Sequence, residues 1–253
     1  MPHSDTSPAS PAREPMPGKI PFDIDEVFRR LRVATASMPK AALFDLRDRG
    51  HGGAFEQLAA ALISARTRDE TTIPVSLRLF ERAPTPDALA KLGEAEIAAL
   101  LDGATFPEAK ARDLKELSRR IAQDLGGQVP DTMEGLTSFR GVGPKIAALT
   151  LGIAFGQPHI AVDVHVHRVT NRWGYVATRS PEATMAALHG ILPRRYWIEI
   201  NERLVPFGKH ICTGISPKCL TCPLLDICRQ IGVTQSSNDI RQKNRMEQRS
   251  QDP

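Results

Sequence analysis

The sequence predicts an all-α fold, on three observations. Apolar residues recur at helical spacing along most of the chain, capping pairs punctuate it, and strand signals are scarce. Phe55, Leu58, Leu62 and Ile63 place an amphipathic helix over about 54–66. Thr85 and Pro86 open a short helix, as its cap and its first helical residue. Residues 94–101 form another, and 107–125 carries Leu114, Leu117, Ile121 and Leu125 on one stripe that Gly126-Gly127 ends. Two more helices fall at 133–139 and 144–155. Ser180-Pro181 caps a helix that runs to about Leu192, and 194–211 is a further candidate. The best strand signal is His159–Val166, whose branched residues alternate. Yet Val166, Val169 and Trp173 also fit a helical face that Gly174 stops, with Asp163 as the cap. No repeat of solenoid period occurs.

A chain of 253 residues, 41% of them hydrophobic, can bury one large core or two lobes. The charged share of 25% is usual for a soluble protein. A net charge of +4 and a pI near 9.0 permit a polyanionic partner without demanding one. No apolar run reaches the roughly eighteen residues that a membrane helix needs, so no span is expected. The opening MPHSDTSPASPAREPMPGK is rich in Pro and Ser and lacks an apolar segment, which reads as a disordered tail rather than a signal peptide. The polar stretch from Thr234 reads as loose too, with Arg241, Lys243, Arg245 and Arg249 near enough in sequence to brush a phosphate backbone.

The stretch Arg140–Ala147, RGVGPKIA, joins two helical segments through a Gly-x-Gly turn, a helix–hairpin–helix. Its glycines allow a tight turn and a close approach by a partner. The N–H groups that open the second helix suit a phosphate oxygen. Alone, Gly-x-Gly is a weak signal, and by itself it favours a plain helical hairpin whose glycines only make the turn. Lys145 falls in the first turn of that second helix, where the dipole disfavours an ammonium. That field, with partial burial, favours the free amine that attack on an electrophilic carbon requires. Asp163 follows eighteen residues later, and a carboxylate at a helix start is often only a cap.

All four cysteines lie between Cys212 and Cys228, spaced Cys212-x6-Cys219-x2-Cys222-x5-Cys228. Without a secretion signal a disulfide framework is not expected. Four thiolates so close suit zinc or an iron–sulfur cluster. Structural zinc sites bring two close pairs from separated segments, and only one close pair exists here, which favours a [4Fe–4S] cluster. The loop Thr213–Lys218, pinned at both ends and tipped by Lys218, suits a phosphate.

In this order and spacing RGVGPKIA, HIAVDVHVHRV and the cysteine run resemble the endonuclease III family of DNA glycosylases, within the helix–hairpin–helix superfamily. The resemblance covers about Phe55 to Cys228. It implies a six-helix lobe with the hairpin over 54–156 and a second lobe, with the termini and the cluster, over 21–53 and 157–233. DNA would lie in the cleft between them, and 1–20 and 234–253 would be tails. It implies removal of oxidised pyrimidines from damaged double-stranded DNA, then β-elimination at the abasic sugar. Lys145 matches the nucleophile and Asp163 the catalytic carboxylate. The four cysteines match the cluster ligands, and Gly141 and Gly143 the hairpin glycines at the phosphate. Further DNA contacts fall to Arg66, Phe106, His165, Arg168 and Lys218. The expected form is a monomer in the cytoplasm, at the nucleoid in a bacterium.

Three departures stand out. Arg66 takes the place of a glutamine that enters the gap left by the flipped nucleotide. The usual leucine wedge is best matched near Phe106, and the usual leucine-proline before the hairpin is Phe139-Arg140. Competing readings are a mainly abasic-site lyase with weak glycosylase action, and a non-catalytic iron–sulfur DNA-binding protein, which the presence of Lys145 disfavours. An adenine-removing relative needs an acidic residue where Ala59, Ala60 and Ala61 stand, and ferredoxin cysteine runs are spaced differently.

Overall fold

Local signals decide where the helices start. Asp23 accepts a hydrogen bond from Asp25 N at 2.9 Å and opens α1 (Ile24–Thr35). Thr85, Thr132 and Ser180 each accept from a backbone N–H three residues on, opening α5 (Pro86–Ala90), α8 (Met133–Thr137) and α11 (Pro181–Ile191). Between these run α2 (Ala42–Asp48), α3 (Ala54–Ser64), α4 (Asp69–Arg82), α6 (Glu94–Leu100), α7 (Pro107–Arg119), α9 (Pro144–Phe155) and α10 (Val164–Trp173), and α12 (Glu199–His210) follows. The structure, a computed structural model, describes residues 19–233, and no strand occurs among them. The C-terminal basic residues Arg241, Lys243, Arg245 and Arg249 lie outside the described residues.

The chain divides into two units. One comprises residues 39–161 and 194–202 within the described chain. At its centre is α3, whose residues Gln57 to Ile63 are all buried, and against it pack α2, α4, α7 and α9. The run Ala59-Ala60-Ala61 is fully buried and lets neighbouring helices approach closely. Leu58, Ile63, Leu79 and Leu114 are each completely enclosed, and burying one such side chain contributes about 1.5–3 kcal/mol. Residues 39–53 belong to this unit, not with the termini, because α2 packs on α3 and α4.

The other unit holds the described residues up to Met38, then 162–193 and 203–233. Its core joins Val27, Phe28 and Leu31 of α1 to Val166, Val169 and Trp173 of α10, with Leu188, Leu204 and Phe207. Phe22 stacks on Tyr175 with centroids 5.1 Å apart. Lys19 and Ile20, expected in the tail, are held instead. Lys19 Nζ donates to Gln230 Oε1 at 3.1 Å and Ile20 N to Asp226 O at 2.9 Å.

Two expectations change in detail, and that of a helix opened by Asp163 holds. The stripe on α7 ends early, because residues 120–124 form a π-helical turn whose wider winding rotates Leu125 outward, to 37% exposure. The segment 194–211 is split into a 3-10 turn over Arg194–Tyr196 and α12. The alternation at His159–Val166 makes no strand: Ile160, Ala161 and Val162 are buried in succession, and Asp163 then opens α10.

Candidate nucleic-acid interface and cysteine centre

The hairpin turn separates its two glycines by role. Gly141 has φ +81, a conformation that favours glycine, and a Cβ there would sit 2.9 Å from Asp113 Oδ2 and 3.1 Å from Leu62 Cδ2. Gly143 is extended, and a Cβ on it would meet nothing within 4 Å. So Gly141 lets the turn close onto the protein beneath it, while Gly143 faces open space. No side chain caps α9, and no acidic residue stands in its first turn. Its opening N–H groups and the exposed Lys145 therefore share a positive, uncapped helix start. The partial burial expected for Lys145 is not found.

Arginines support the unusual Phe139-Arg140 pair. Phe139 is buried, and the Arg120 guanidinium lies over its ring, 4.6 Å from the centroid, and donates to Ser138 O at 2.9 Å. Arg140 Nε lies 3.1 Å from the Asp113 carboxylate that underlies Gly141.

In the same unit two non-glycine residues adopt left-handed backbone: Arg66 with φ 58, just past α3, and Phe106 with φ 56, just before α7. Each costs about 1–2 kcal/mol, an expense commonly met at functional sites. Both side chains are exposed, Phe106 at 57%. Thr105 Oγ1 donates to Arg66 O at 2.8 Å and Thr105 N to Thr67 Oγ1 at 3.1 Å, so the two turns are joined. Below them Lys110 is buried, with its ammonium 2.6 Å from Ile63 O, 2.8 Å from Ala65 O and 2.8 Å from Thr67 Oγ1. Burial pushes Lys110 down to about 8. Sequence reasoning missed this residue, yet a signal existed: Lys110 lies four before Leu114 on the apolar stripe of α7.

In the other unit Asp163 caps α10. Its Oδ1 accepts from His165 N at 2.9 Å and Val166 N at 2.8 Å, which leaves Oδ2 without a hydrogen-bond donor among the described residues. One turn on, Arg168 is committed internally. It donates to Gly208 O at 2.9 Å and Cys212 O at 3.1 Å and lies 3.1 Å from His165 Nδ1, and burial lowers its basicity. A side chain at Gly208 would run into His165, which is why α12 has glycine there.

All four cysteines are free thiols lining one cavity, together with Arg172, Trp173, Phe207, Ile211 and Leu225. Burial pushes the Cys222 thiol up to about 12 and the Cys228 thiol up to about 11. Arg172 binds the loop from inside, donating to Thr213 O at 2.6 Å and Gly214 O at 2.8 Å, with Cys212 Sγ 3.4 Å away. Among the described residues no group of three or more His, Cys, Asp or Glu side chains could hold a metal ion. The loop Thr213–Lys218 is tipped not by Lys218 but by Ile215, 94% exposed. Lys218 is at its foot, where its N–H bonds Ile211 O at 2.9 Å and closes the loop.

This helical hairpin fold defines a class. Residues 59–194 match the HhH-GPD superfamily of base excision DNA repair proteins. Among curated relatives, endonuclease III of Thermotoga maritima is 41% identical over 174 residues, 69% of this chain and 82% of its own. Endonuclease III of Bacillus subtilis is 33% identical over 181 residues, 71% and 83% of the two chains. The fold aligns with a trapped endonuclease III–DNA covalent intermediate at TM-score 0.72 and 30% identity, covering 82% of this chain and 94% of that one. A non-covalent endonuclease III–DNA complex aligns at the same TM-score with 29% identity, over 88% and 97% of the chains. The chain belongs to the endonuclease III family. It is a base excision repair enzyme, a DNA glycosylase with abasic-site lyase activity.

Proposed function

We propose that this enzyme removes oxidised pyrimidines from duplex DNA with Lys145 as its nucleophile, and then cuts the strand on the 3′ side of the abasic sugar. The observation that carries the reading is Lys145 itself: an exposed amine in the first turn of α9, behind an open Gly143 and a helix start that no side chain caps.

The target nucleotide is turned out of the stack, since its C1′ is otherwise out of reach. Asp163, held by its two cap bonds, offers Oδ2 to positive charge growing on the sugar or to a proton in transfer. The Lys145 lone pair forms the bond to C1′, the C1′–N bond breaks, and its electron pair leaves with the base, which takes up a proton. The amine then sheds a proton and its lone pair forms the C1′=N bond of an iminium, as the C1′–O4′ bond breaks and O4′ takes up a proton with that bond's electron pair. That cation acidifies C2′–H; loss of the proton sends the C–H electrons into a C2′–C3′ double bond and expels the 3′-phosphate with the C3′–O pair. Phosphate contacts fall to the N–H groups around Gly143, to Lys218 and to His165. Arg168, with its guanidinium engaged inside the unit, contributes by fixing the loop start. Arg66 and Phe106 enter the gap left by the nucleotide, and one molecule acts on one site.

Cys212, Cys219, Cys222 and Cys228, which line one cavity, would hold a [4Fe–4S] cluster. A single tetrahedral ion needs its thiolates about 2.3 Å from one point, whereas a cubane takes one thiolate per corner and fills a volume. Its part would be to cross-link the loop, offsetting the cost of burying thiolates. Duplexes each bearing one lesion, scored separately for base release and strand cleavage, test the reading. Release of oxidised pyrimidines with cleavage is expected; cleavage of abasic sites alone would leave only the lyase half.

A further inference from the structure

We propose that Lys110 is the positioning residue that sets Arg66 and Phe106 for entry into the duplex. The inference rests on the reading of those two as the gap-filling residues. Lys110 is bound to both turns. Its backbone N–H donates to Phe106 O at 3.1 Å, and its ammonium spends all three donors on Ile63 O, Ala65 O and Thr67 Oγ1. The two carbonyls close α3, where the dipole is negative and a cation is favoured. The hydroxyl of Thr67 carries the link onward to Thr105 N, and Thr105 returns it to Arg66 O. A ring Lys110–Thr67–Thr105–Arg66 thus joins two segments almost forty residues apart in sequence. At each end of it stands a left-handed, exposed, non-glycine residue.

Lys110, seven per cent exposed, spends its ammonium on backbone and hydroxyl oxygens and makes no ion pair among the described residues. A methionine of similar length would fill the same space. What the ammonium adds is direction: it draws the end of α3 and the turn after it toward the start of α7. The turns would otherwise relax out of the left-handed region, and the side chains they aim would lose their common direction. Geometry of this kind matters only while a paired strand has to be opened.

The test compares borohydride trapping on a preformed abasic site in duplex and in single-stranded DNA, where no gap needs filling. Lys110→Met should slow trapping on the duplex by about 10-fold, within the roughly 100-fold that a misplacement of about an ångström can cost, and leave the single-strand rate within about twofold. Thr67→Val breaks the ring without touching the buried lysine and should show the same split should Lys110→Met fail to fold, while Thr67→Ser should restore the duplex rate. Equal losses on both DNAs, or none on either, would overturn the inference. Failure of the native protein to trap on either DNA would instead overturn the nucleophile reading on which it rests.

Discussion

The carbonyl of Arg66 accepts a hydrogen bond from Thr105 Oγ1 at 2.8 Å, so the turn after α3 and the turn before α7 move as one. Two residues far apart in the chain are thereby presented together, each in backbone that its side chain disfavours. That opposition between local strain and presentation can be measured.

Arg66→Gly should raise stability by about 1 kcal/mol, since glycine adopts the left-handed region freely. It should also slow single-turnover base release from duplex. Arg66→Gln addresses recognition. Arginine is donor-only, and guanine offers the best bidentate acceptor pair, so lesions opposite guanine should react faster than those opposite adenine, by the equivalent of about 1–3 kcal/mol. Glutamine should flatten that ratio. A ratio unchanged by the substitution would show that Arg66 binds phosphate instead.

The hairpin glycines should separate in the same way. Gly141→Ala meets φ +81, Asp113 Oδ2 at 2.9 Å and Leu62 at 3.1 Å, and should cost about 1–2 kcal/mol from the backbone alone. Gly143→Ala meets open space on the protein side and should melt near the native temperature, yet bind undamaged duplex more weakly. Melting and salt-dependent binding curves on both variants check this. Equal melting temperatures for the two would contradict it.

Lys110 should leave a mark on the pH dependence of stability. Its folded value of about 8 is below its ordinary 10.5, so between these values the unfolded chain binds a proton that the folded chain has shed. Stability therefore rises with pH across that window. The melting temperature of the native protein, relative to Lys110→Met, should climb from pH 8 to 10.5 and be flat below 8. A relative decline over that window would contradict the burial of the ammonium.

For the cysteines, protein purified without air should be yellow-brown and carry about four irons per chain. Cys222→Ser should lower the iron content. Arg172→Ala, which removes the bonds to Thr213 O and Gly214 O, should speed iron loss to a chelator. Zinc without iron or sulfide would overturn the cluster.

Short-range chemistry was the legible part of the sequence. Thr85, Ser180 and Asp163 are caps whose partners lie within three residues, and each caps as read. Pro144–Phe155 matches its sequence boundaries because Gly143-Pro144 and Gly156 punctuate both ends. Less legible was α4, where Pro74 sits inside the helix. Residues 39–53 went with the wrong unit because only tertiary packing assigns α2 to α3. In the site, Lys145 and the cysteines announce themselves by motif. Lys110, Arg120 and Arg172 do not, because their acceptors are backbone carbonyls that the fold brings from distant segments. The loop at Thr213 could be read as closed, but not which residue tips it: the bond from Lys218 N to Ile211 O pulls the lysine to the foot and leaves Ile215 outermost.

Covalent capture addresses Lys145 most directly. Borohydride added to the protein with abasic duplex should trap a protein–DNA adduct, and peptide mapping should place the adduct on Lys145. Lys145→Gln, at an exposed position that no packing depends on, should bind the duplex and give no adduct. Trapping undiminished in that variant would show that another amine attacks the sugar.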